Sequence, residues 1–164
     1  MILSDKAIRQ LGIITPCEPR GKQSGMSYGL GPCGYDLRVA MPVPIFGYGQ
    51  VLTPHGSGIL LAPGQGVLLG TRELFDMPDA VVGFVKDKST WARRGLLNAQ
   101  AVVEPGWRGH LSVFVCNRGD DDLAILDGDP IAQVVFLVLD SVPEAVYTGK
   151  YQDQGPGPQP AKFE

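Results

Sequence analysis

A short basic and hydroxyl-rich segment, residues 88–95 (Lys-Ser-Thr-Trp-Ala-Arg-Arg-Gly), has the composition of a phosphate-binding turn. Ser89 can begin a helix of one or two turns as its N-cap, and Gly95 can end that helix. The free N–H groups at such a helix N-terminus attract anions, and Ser89 and Arg93, four residues apart, share one helical face. The lysine adds a point charge, and Arg93 or Arg94 adds a bidentate fork. The alternative interpretation is a solvated basic turn.

Two carboxylates lie in contexts that could also carry chemistry. Glu104 opens the tight turn Glu104-Pro105-Gly106-Trp107-Arg108-Gly109 at the end of a strand, where a rigidly held carboxylate can act as a general base on water. An exposed turn acid without a catalytic role is the alternative. Asp36 lies inside an apolar strand, and we interpret it as a structural partner of Arg38 or of backbone N–H groups.

Several reaction classes are disfavoured by the absence of their motifs. The chain has 2 histidines, His55 and His110, and it has no HxE with PCxxC, so the zinc deaminase arrangement is absent. There is no Walker A motif and no GxGxxG followed by a helix. We therefore expect no metal site built from protein ligands.

Composition bounds the class of protein. The 164 residues, 44% hydrophobic and 19% charged, predict one soluble globular domain with a real core. The net charge of −3 and the absence of a basic run argue against nucleic acid as a partner, while a local basic pocket for a phosphorylated small molecule is compatible with it.

Cysteine usage and hydropathy predict a cytoplasmic protein. The 3 cysteines form no CxxC pair, and an odd count without a secretory h-region favours a reduced cytosolic compartment. The longest apolar run, residues 134–139, is a buried strand and is too short to span a membrane.

The elements that must position these residues are mostly short strands. The 22 glycines and 14 prolines imply frequent turns, so we predict an all-β barrel or jelly roll with a few short helices. The tail from Gly149 onward is rich in Gly, Pro and Gln and is expected to be mobile when alone. In the first part of the chain we predict a helix over residues 4–11 capped by Ser4, a loop over 16–34 and an alternating strand over 35–39. Residues 60–69 are predicted to form a turn that leads into a strand, and further strands are predicted over 81–85 and 96–103. The last predicted elements are a strand over 110–116 with one apolar and one mixed face, a turn at 127–130 and a core strand over 131–139.

Taken in order, segments along nearly the whole chain resemble the family of dCTP deaminases and dUTPases. No single segment is decisive, but this many in family order is highly specific. The segments that carry the resemblance are Met1 to Lys6 with Ile8-Arg9, Gly34-Tyr35-Asp36-Leu37-Arg38, Leu69-Gly70-Thr71-Arg72-Glu73, Lys88-Ser89 through Leu96, Pro105 to Gly109, Asn117, Gly128, Ile131-Ala132-Gln133 and the deaminase-like tail Gly149 to Pro156.

The resemblance implies a distorted jelly roll of the dUTPase type, assembled as a homotrimer with sites between subunits. It implies one β domain over residues 1–148 and a flexible tail over 149–164 that closes over a deoxynucleoside triphosphate, with Mg²⁺ on the phosphates rather than on protein ligands. Glu104 falls where the family has an aspartate near the sugar, which in dUTPases activates the water that attacks the α-phosphorus. The remaining residues that the resemblance assigns to nucleotide binding are Lys88, Ser89, Thr90 and Arg93 on the triphosphate, Lys150 and Gln154 from the tail, and Tyr147 and Ser112 beside them.

Two departures from the deaminase pattern bear on the reaction. Phe114, three residues before Asn117, replaces the glutamate that shuttles protons to and from the cytosine ring in deaminases. The loss of a positioned acid–base group costs about 10²–10⁴ in rate. The segment from Leu97 to Val103, which would form the base-reading hairpin, is shorter than in typical deaminases. Trp107-Arg108-Gly109 and an apolar residue at 114 favour the dUTPase branch, whereas the tail is deaminase-like and the glycine-rich dUTPase C-terminus is absent.

Three functions follow from this combination. The first is hydrolysis of a pyrimidine deoxynucleoside triphosphate to the monophosphate and pyrophosphate, with Glu104 as base and with Arg93 and Ser89 stabilising developing charge. The second is dCTP deamination by another acid, and the third is nucleotide binding without turnover.

Overall fold

A computed structural model describes residues 1–41 and 52–163 of the chain, so Glu164, the last residue of the predicted tail, lies outside the described residues. None of the described helices has the length and apolar character needed to cross a membrane. The helices are α1 (Asp5–Leu11) and α2 (Ser89–Ala92), and the strands are β1 (Ile14–Thr15), β2 (Gly21–Gln23), β3 (Met26–Gly31), β4 (Gly34–Ala40), β5 (Thr53–His55), β6 (Gly58–Leu61), β7 (Gly66–Asp76), β8 (Val81–Asp87), β9 (Leu96–Asn98), β10 (Val102–Val103), β11 (Arg108–Asn117), β12 (Leu123–Ile125) and β13 (Pro130–Val138).

The larger sheet curls until its two edges face each other. Its central path runs β10-β8-β13-β4-β7-β11-β9, and a separate small sheet has the order β12-β6-β5. The edge strands β9 and β10 are joined by residues 99–101, where Ala99 N–H donates to the Phe114 carbonyl at 2.9 Å and Val85 N–H donates to the Ala101 carbonyl at 3.0 Å. The predicted mostly β, barrel-like fold is confirmed; the homotrimer stays a prediction.

The core follows the pleat of the strands. On β11, Val113 and Val115 are buried while Ser112, Phe114 and Cys116 are half-buried, which confirms the predicted apolar and mixed faces. On β4, by contrast, residues 34–39 are all buried, so the predicted outward and inward alternation there is wrong. This strand lies between β13 and β7 in the middle of the sheet, and its charged side chains have buried partners.

The segment predicted as a loop over residues 16–34 contains a β-hairpin, so that prediction is wrong. Strands β2 and β3 pair with Gln23 opposite Met26 and leave a two-residue turn, Ser24-Gly25. Both turn residues have positive φ, 49° and 76°, which is the conformation that a type I′ turn requires. The Ser-Gly pair therefore reverses the chain although the surrounding composition resembles a loop.

The two helices differ in how they begin. Ser4 caps α1 as predicted, with its side chain accepting from Ala7 N–H. In α2 the cap position is Lys88, which makes no side-chain capping bond, so the prediction of Ser89 as N-cap is wrong. The Lys88 side chain is instead directed to a buried carboxylate, described below. The helix ends at Ala92 with Arg93 as its C-cap, so the prediction that Gly95 ends it is wrong; Gly95, with φ 85°, ends the turn that follows the helix.

Candidate functional site

A cavity of about 410 Å³ lies between the outer side of β7 and β11, the edge at β10 and the C-terminal tail. Its volume is within the range of ligand-binding pockets, and most of its wall is apolar. The residues that line it are Leu68, Ala101, Val102, Val103, Trp107, Leu111 and Ala161, together with the polar side chains of Glu104, Ser112, Tyr147, Tyr151, Gln154 and Gln159.

Glu104 supplies the carboxylate of this cavity; no other acid among the described residues lines it. Its side chain is exposed, so it is accessible to water. The turn that follows is closed by Trp107 N–H donating to the Glu104 carbonyl at 3.2 Å, and Gly106 adopts φ 76°. The Trp107 ring is buried, and its Nε1–H donates to the Tyr151 carbonyl at 2.8 Å. The turn thus fixes the backbone from which the carboxylate extends.

Phe114 occupies the mixed face of β11 beside the cavity. It is directly opposite Leu68 of the cavity wall, and its ring lies against Gly66, where the missing side chain leaves room for it. A phenyl ring carries no ionisable proton, so this position cannot exchange protons with a ligand. The geometry offers a carboxylate at 104 and an apolar surface at 114.

The basic residues of the first segment do not all face solvent. Lys88 is buried, and its Nζ donates to Asp36 Oδ2 at 2.8 Å and to Ser27 Oγ at 2.9 Å. Asp36 thus has the structural role that we inferred, but its partners are Lys88 and Ser27 and not Arg38 or backbone N–H groups. The reason is that the Arg38 guanidinium is already held elsewhere, by Glu73 at 3.0 Å.

Arg38 and Glu73 form a second buried network. Arg38 donates from its backbone N and from Nε to the two Glu73 oxygens, and it also reaches Glu18 at 2.9 Å. Burial raises the pKa of the Glu73 carboxyl, and the N–H groups of Arg38 oppose that rise. Neither residue lines the cavity, so this network serves the fold.

Within one chain the predicted site residues fall into two groups. Glu104, Ser112, Tyr147 and Gln154 line the cavity, so the structure brings these four together. The remaining predicted residues lie outside it: Lys88 is buried beside Asp36, Ser89, Thr90 and Arg93 are exposed at α2, and Lys150 is exposed with its Nζ 5.8 Å from the centroid of the Tyr151 ring. Thr90 borders a smaller cavity of about 160 Å³ together with Arg94 and Asp129.

The tail lies along the beginning of β11 on its own chain. Gln154 pairs in parallel with Gly109, His110 N–H donates to the Gln154 carbonyl at 2.9 Å, and Gln152 Nε2 donates to the Gly106 carbonyl at 2.8 Å. Tyr151, Gln154 and Gln159 therefore contribute to the cavity wall. Tyr151 and Gln159 were not singled out from the sequence, because no motif or periodicity marks a tail residue as a wall residue.

No group of three or more His, Cys, Asp or Glu side chains gathers into a metal-ligand cluster within residues 1–41 and 52–163. Glu104 alone is too few ligands for an ion held by the protein. The residues present therefore do not form a resident metal site.

A family model described as DCD, dCTP deaminase-like, matches residues 2–139. A dCTP deaminase of Pyrococcus horikoshii is 34% identical over 153 residues, which cover 93% of this chain and 92% of that protein. A dCTP deaminase of Campylobacter hominis is 36% identical over 172 residues, covering 92% of this chain and 90% of that protein.

Solved structures share the fold. The crystal structure of 2'-deoxycytidine 5'-triphosphate deaminase from Agrobacterium tumefaciens superposes with a TM-score of 0.65 and 17% identity over 84% of this chain, and the chain spans about half (48%) of that one. A variant of the dUTPase of Staphylococcus bacteriophage 80alpha gives a TM-score of 0.51 and 14% identity, covering 85% of this chain and 94% of the other.

Proposed function

Because this chain belongs to the dCTP deaminase-like family, we propose that it is an enzyme acting on a pyrimidine deoxynucleoside triphosphate, and that it hydrolyses its substrate to the monophosphate and pyrophosphate. One observation carries the choice of reaction. The cavity has Glu104 as its carboxylate, while Phe114 occupies the position at which deamination needs a proton-transferring group. The available base therefore suits attack by water better than proton exchange with a cytosine ring.

In the proposed reaction a water molecule attacks the α-phosphorus. Glu104 accepts one proton of that water, the new oxygen–phosphorus bond forms, and the bond from the α-phosphorus to the oxygen bridging to the β-phosphorus breaks. The electron pair of that bond leaves with pyrophosphate. Arg93 and Ser89 stabilise the charge that develops on the phosphate oxygens.

The site needs a second copy of the chain in this proposal. In one chain the cavity and the exposed Ser89 and Arg93 are separate. The outer side of β8 and β13 carries half-buried apolar side chains opposite one another, Phe84 with Val135 and Val82 with Leu137. Such a face favours self-association, so the proposed assembly is a homotrimer in which α2 of one copy approaches the cavity of another. A molar mass three times that of the chain in light scattering is the expected result.

Magnesium belongs to the proposal as part of the substrate. Because the described residues form no metal cluster, the ion would be held by triphosphate oxygens and water. Bound there, it neutralises phosphate charge and polarises the phosphorus.

The proposed partners are the nucleotide and further copies of the chain, with no nucleic acid or membrane. The proposed reduced, cytoplasmic location agrees with the free thiols of Cys17, Cys33 and Cys116.

Deamination is the second candidate, because the curated relatives are named dCTP deaminases. It requires an acid other than residue 114 at C4 of the base. Binding without turnover is the third. The test is incubation with Mg²⁺ and either dCTP or dUTP, with pyrophosphate and ammonia assayed separately. Pyrophosphate without ammonia supports the proposal, ammonia from dCTP replaces it with deamination, and neither product replaces it with a binding protein.

A further inference from the structure

Gly70 and Ser112 form a cross-strand pair on β7 and β11, and the C-terminal tail rests on both. We call these two residues the tail seat. The Ser112 hydroxyl oxygen accepts two hydrogen bonds from the tail, one from Gln154 Nε2 at 2.9 Å and one from the Gln159 backbone N–H at 2.9 Å. Since a hydroxyl oxygen has two acceptor lone pairs, these two bonds use its full acceptor capacity.

Gly70 provides space for the tail backbone. A Cβ at position 70 would lie 2.8 Å from both Cα and the carbonyl carbon of Gly157 and 3.1 Å from the nitrogen of Pro158. Gly157 and Pro158 are buried there although they belong to the tail. The contacting atoms are backbone and cannot rotate away, so any side chain at position 70 would displace the tail.

The cavity exists while the tail is seated. Tyr151, Gln154 and Gln159 form part of a wall around about 410 Å³ of space, so the seated tail leaves room for a ligand rather than filling the cavity. Hydrogen bonds from Trp107 Nε1 to the Tyr151 carbonyl and from His110 N–H to the Gln154 carbonyl hold the same segment from the other side. The arrangement is a preassembled wall.

We propose that the tail seat is a positioning device that fixes residues 151–159 as one wall of the nucleotide cavity before the nucleotide arrives. Gly70 lies outside the cavity wall and acts through the tail alone, whereas Ser112 both holds the tail and lines the cavity. Both residues therefore set the affinity for nucleotide rather than the rate of the chemical step, and the Gly70 variant isolates the effect of the tail. The seating is a property of the free chain, and its effect on affinity rests on the proposed function.

Hydrogen exchange of the full-length protein tests the seating without any nucleotide. Gly70→Ala and Ser112→Ala are expected to speed exchange in residues 149–163 by on the order of fivefold or more, about the loss of one hydrogen bond. Gly155→Ala is the matched control, because a Cβ there meets nothing within 4 Å, and it is expected to exchange like the wild type. Ser112→Thr keeps the hydroxyl and is expected to restore protection. Unchanged exchange in both seat variants overturns the proposal.

Kinetics with the same full-length variants test the consequence. Gly70→Ala and Ser112→Ala are expected to raise KM by on the order of fivefold or more with kcat nearly unchanged, and the double variant is expected to be no worse than the worse single variant. A fall in kcat at constant KM, or additive effects in the double variant, overturns the affinity role. If the wild type releases no pyrophosphate but the exchange results are as expected, the proposed function fails while the seating of the tail is supported.

Discussion

Phe114 of β11 lies directly opposite Leu68 of β7, and Leu68 is part of the cavity wall. Two hydrophobic side chains therefore lie beside the cavity, and one of them, Phe114, is at the position where the resemblance to deaminases predicts a proton-transferring glutamate. Glu104 is left as the carboxylate of the cavity within the described part of the chain. This division, with an apolar surface at one position and a solvent-accessible carboxylate at the other, favours chemistry at phosphorus over chemistry at the base.

Removing the negative charge at position 104 should abolish most of the activity. Glu104→Gln keeps the size of the side chain but cannot accept a proton, so kcat for pyrophosphate release is expected to fall by about 10²–10⁴. The matched control is Glu144→Gln, which removes an exposed carboxylate outside the cavity and should leave kcat unchanged. Full activity in Glu104→Gln would show that another group activates the water.

The two neighbouring arginines at the end of α2 should differ. Both arginines are exposed, but only Arg94 borders the smaller cavity, and its guanidinium lies 5.8 Å from the centroid of the Trp91 ring in its own chain. Arg93→Ala is expected to lower kcat/KM by about 10²–10³, as for loss of one donor that stabilises developing charge. Arg94→Ala is expected to have a much smaller effect in the same assay. The reverse order would move the phosphate contact to Arg94.

The buried ion pair between Lys88 and Asp36 should be strongly coupled. Both side chains are almost inaccessible, so Lys88→Met leaves an unpaired buried carboxylate and is expected to lower the free energy of unfolding by about 3–5 kcal/mol. The double variant Asp36→Leu with Lys88→Met removes both charges, so its loss in the free energy of unfolding should be smaller than the sum of the losses in the two single variants. Lys86→Met, at an exposed lysine, is the control. Additive costs in urea unfolding would show that the pair contributes no coupling.

Alkaline pH should reveal the buried phenol of Tyr35. Burial, with the Glu73 charge as a lesser cause, raises the pKa of Tyr35 well above its usual value of about 10. The folded pKa therefore exceeds the unfolded one, so stability is fully present below pH 10 and is lost as the unfolded tyrosine ionises above it. Between pH 10 and 11.5 we expect the free energy of unfolding of the wild type to fall by up to about 1.4 kcal/mol more per pH unit than that of Tyr35→Phe.

Urea unfolding at several pH values measures this difference. At pH 8 the Tyr35→Phe variant is expected to be less stable by about 1–3 kcal/mol, because the hydroxyl donates to the Pro16 carbonyl at 3.0 Å and accepts from Glu18 N–H at 3.3 Å. Parallel stability curves for the two proteins above pH 10 would contradict the raised pKa.

Local patterns predicted the strands well where one rule dominates. Residues 110–116 alternate strictly, so both faces of β11 followed from the two-residue period of a strand. The hairpin of β2 and β3 was missed because a two-residue Ser-Gly turn is a weak signal inside a glycine-rich and proline-rich segment. The burial of β4 on both faces depends on its place in the middle of the sheet, which its own residues do not reveal.

Side-chain partners were the least predictable feature of the site. Asp36 and Lys88 are 52 positions apart in the chain, so their ion pair follows from the packing of β3, β4 and β8 and from no local rule. The seat at Gly70 is similar, because a glycine in a strand indicates close approach without naming the approaching segment. The cavity position of Glu104, by contrast, followed from a tight turn at a strand end combined with a family resemblance.

The most direct test of the proposed reaction is mass spectrometry of the products formed from dCTP and from dUTP in ¹⁸O-labelled water with Mg²⁺. Attack of water on the α-phosphorus predicts a labelled deoxynucleoside monophosphate and unlabelled pyrophosphate from at least one of the two substrates. A dUTP product from dCTP that carries the label on its base would contradict the proposed hydrolysis, because it would require proton transfer at the ring beside Phe114.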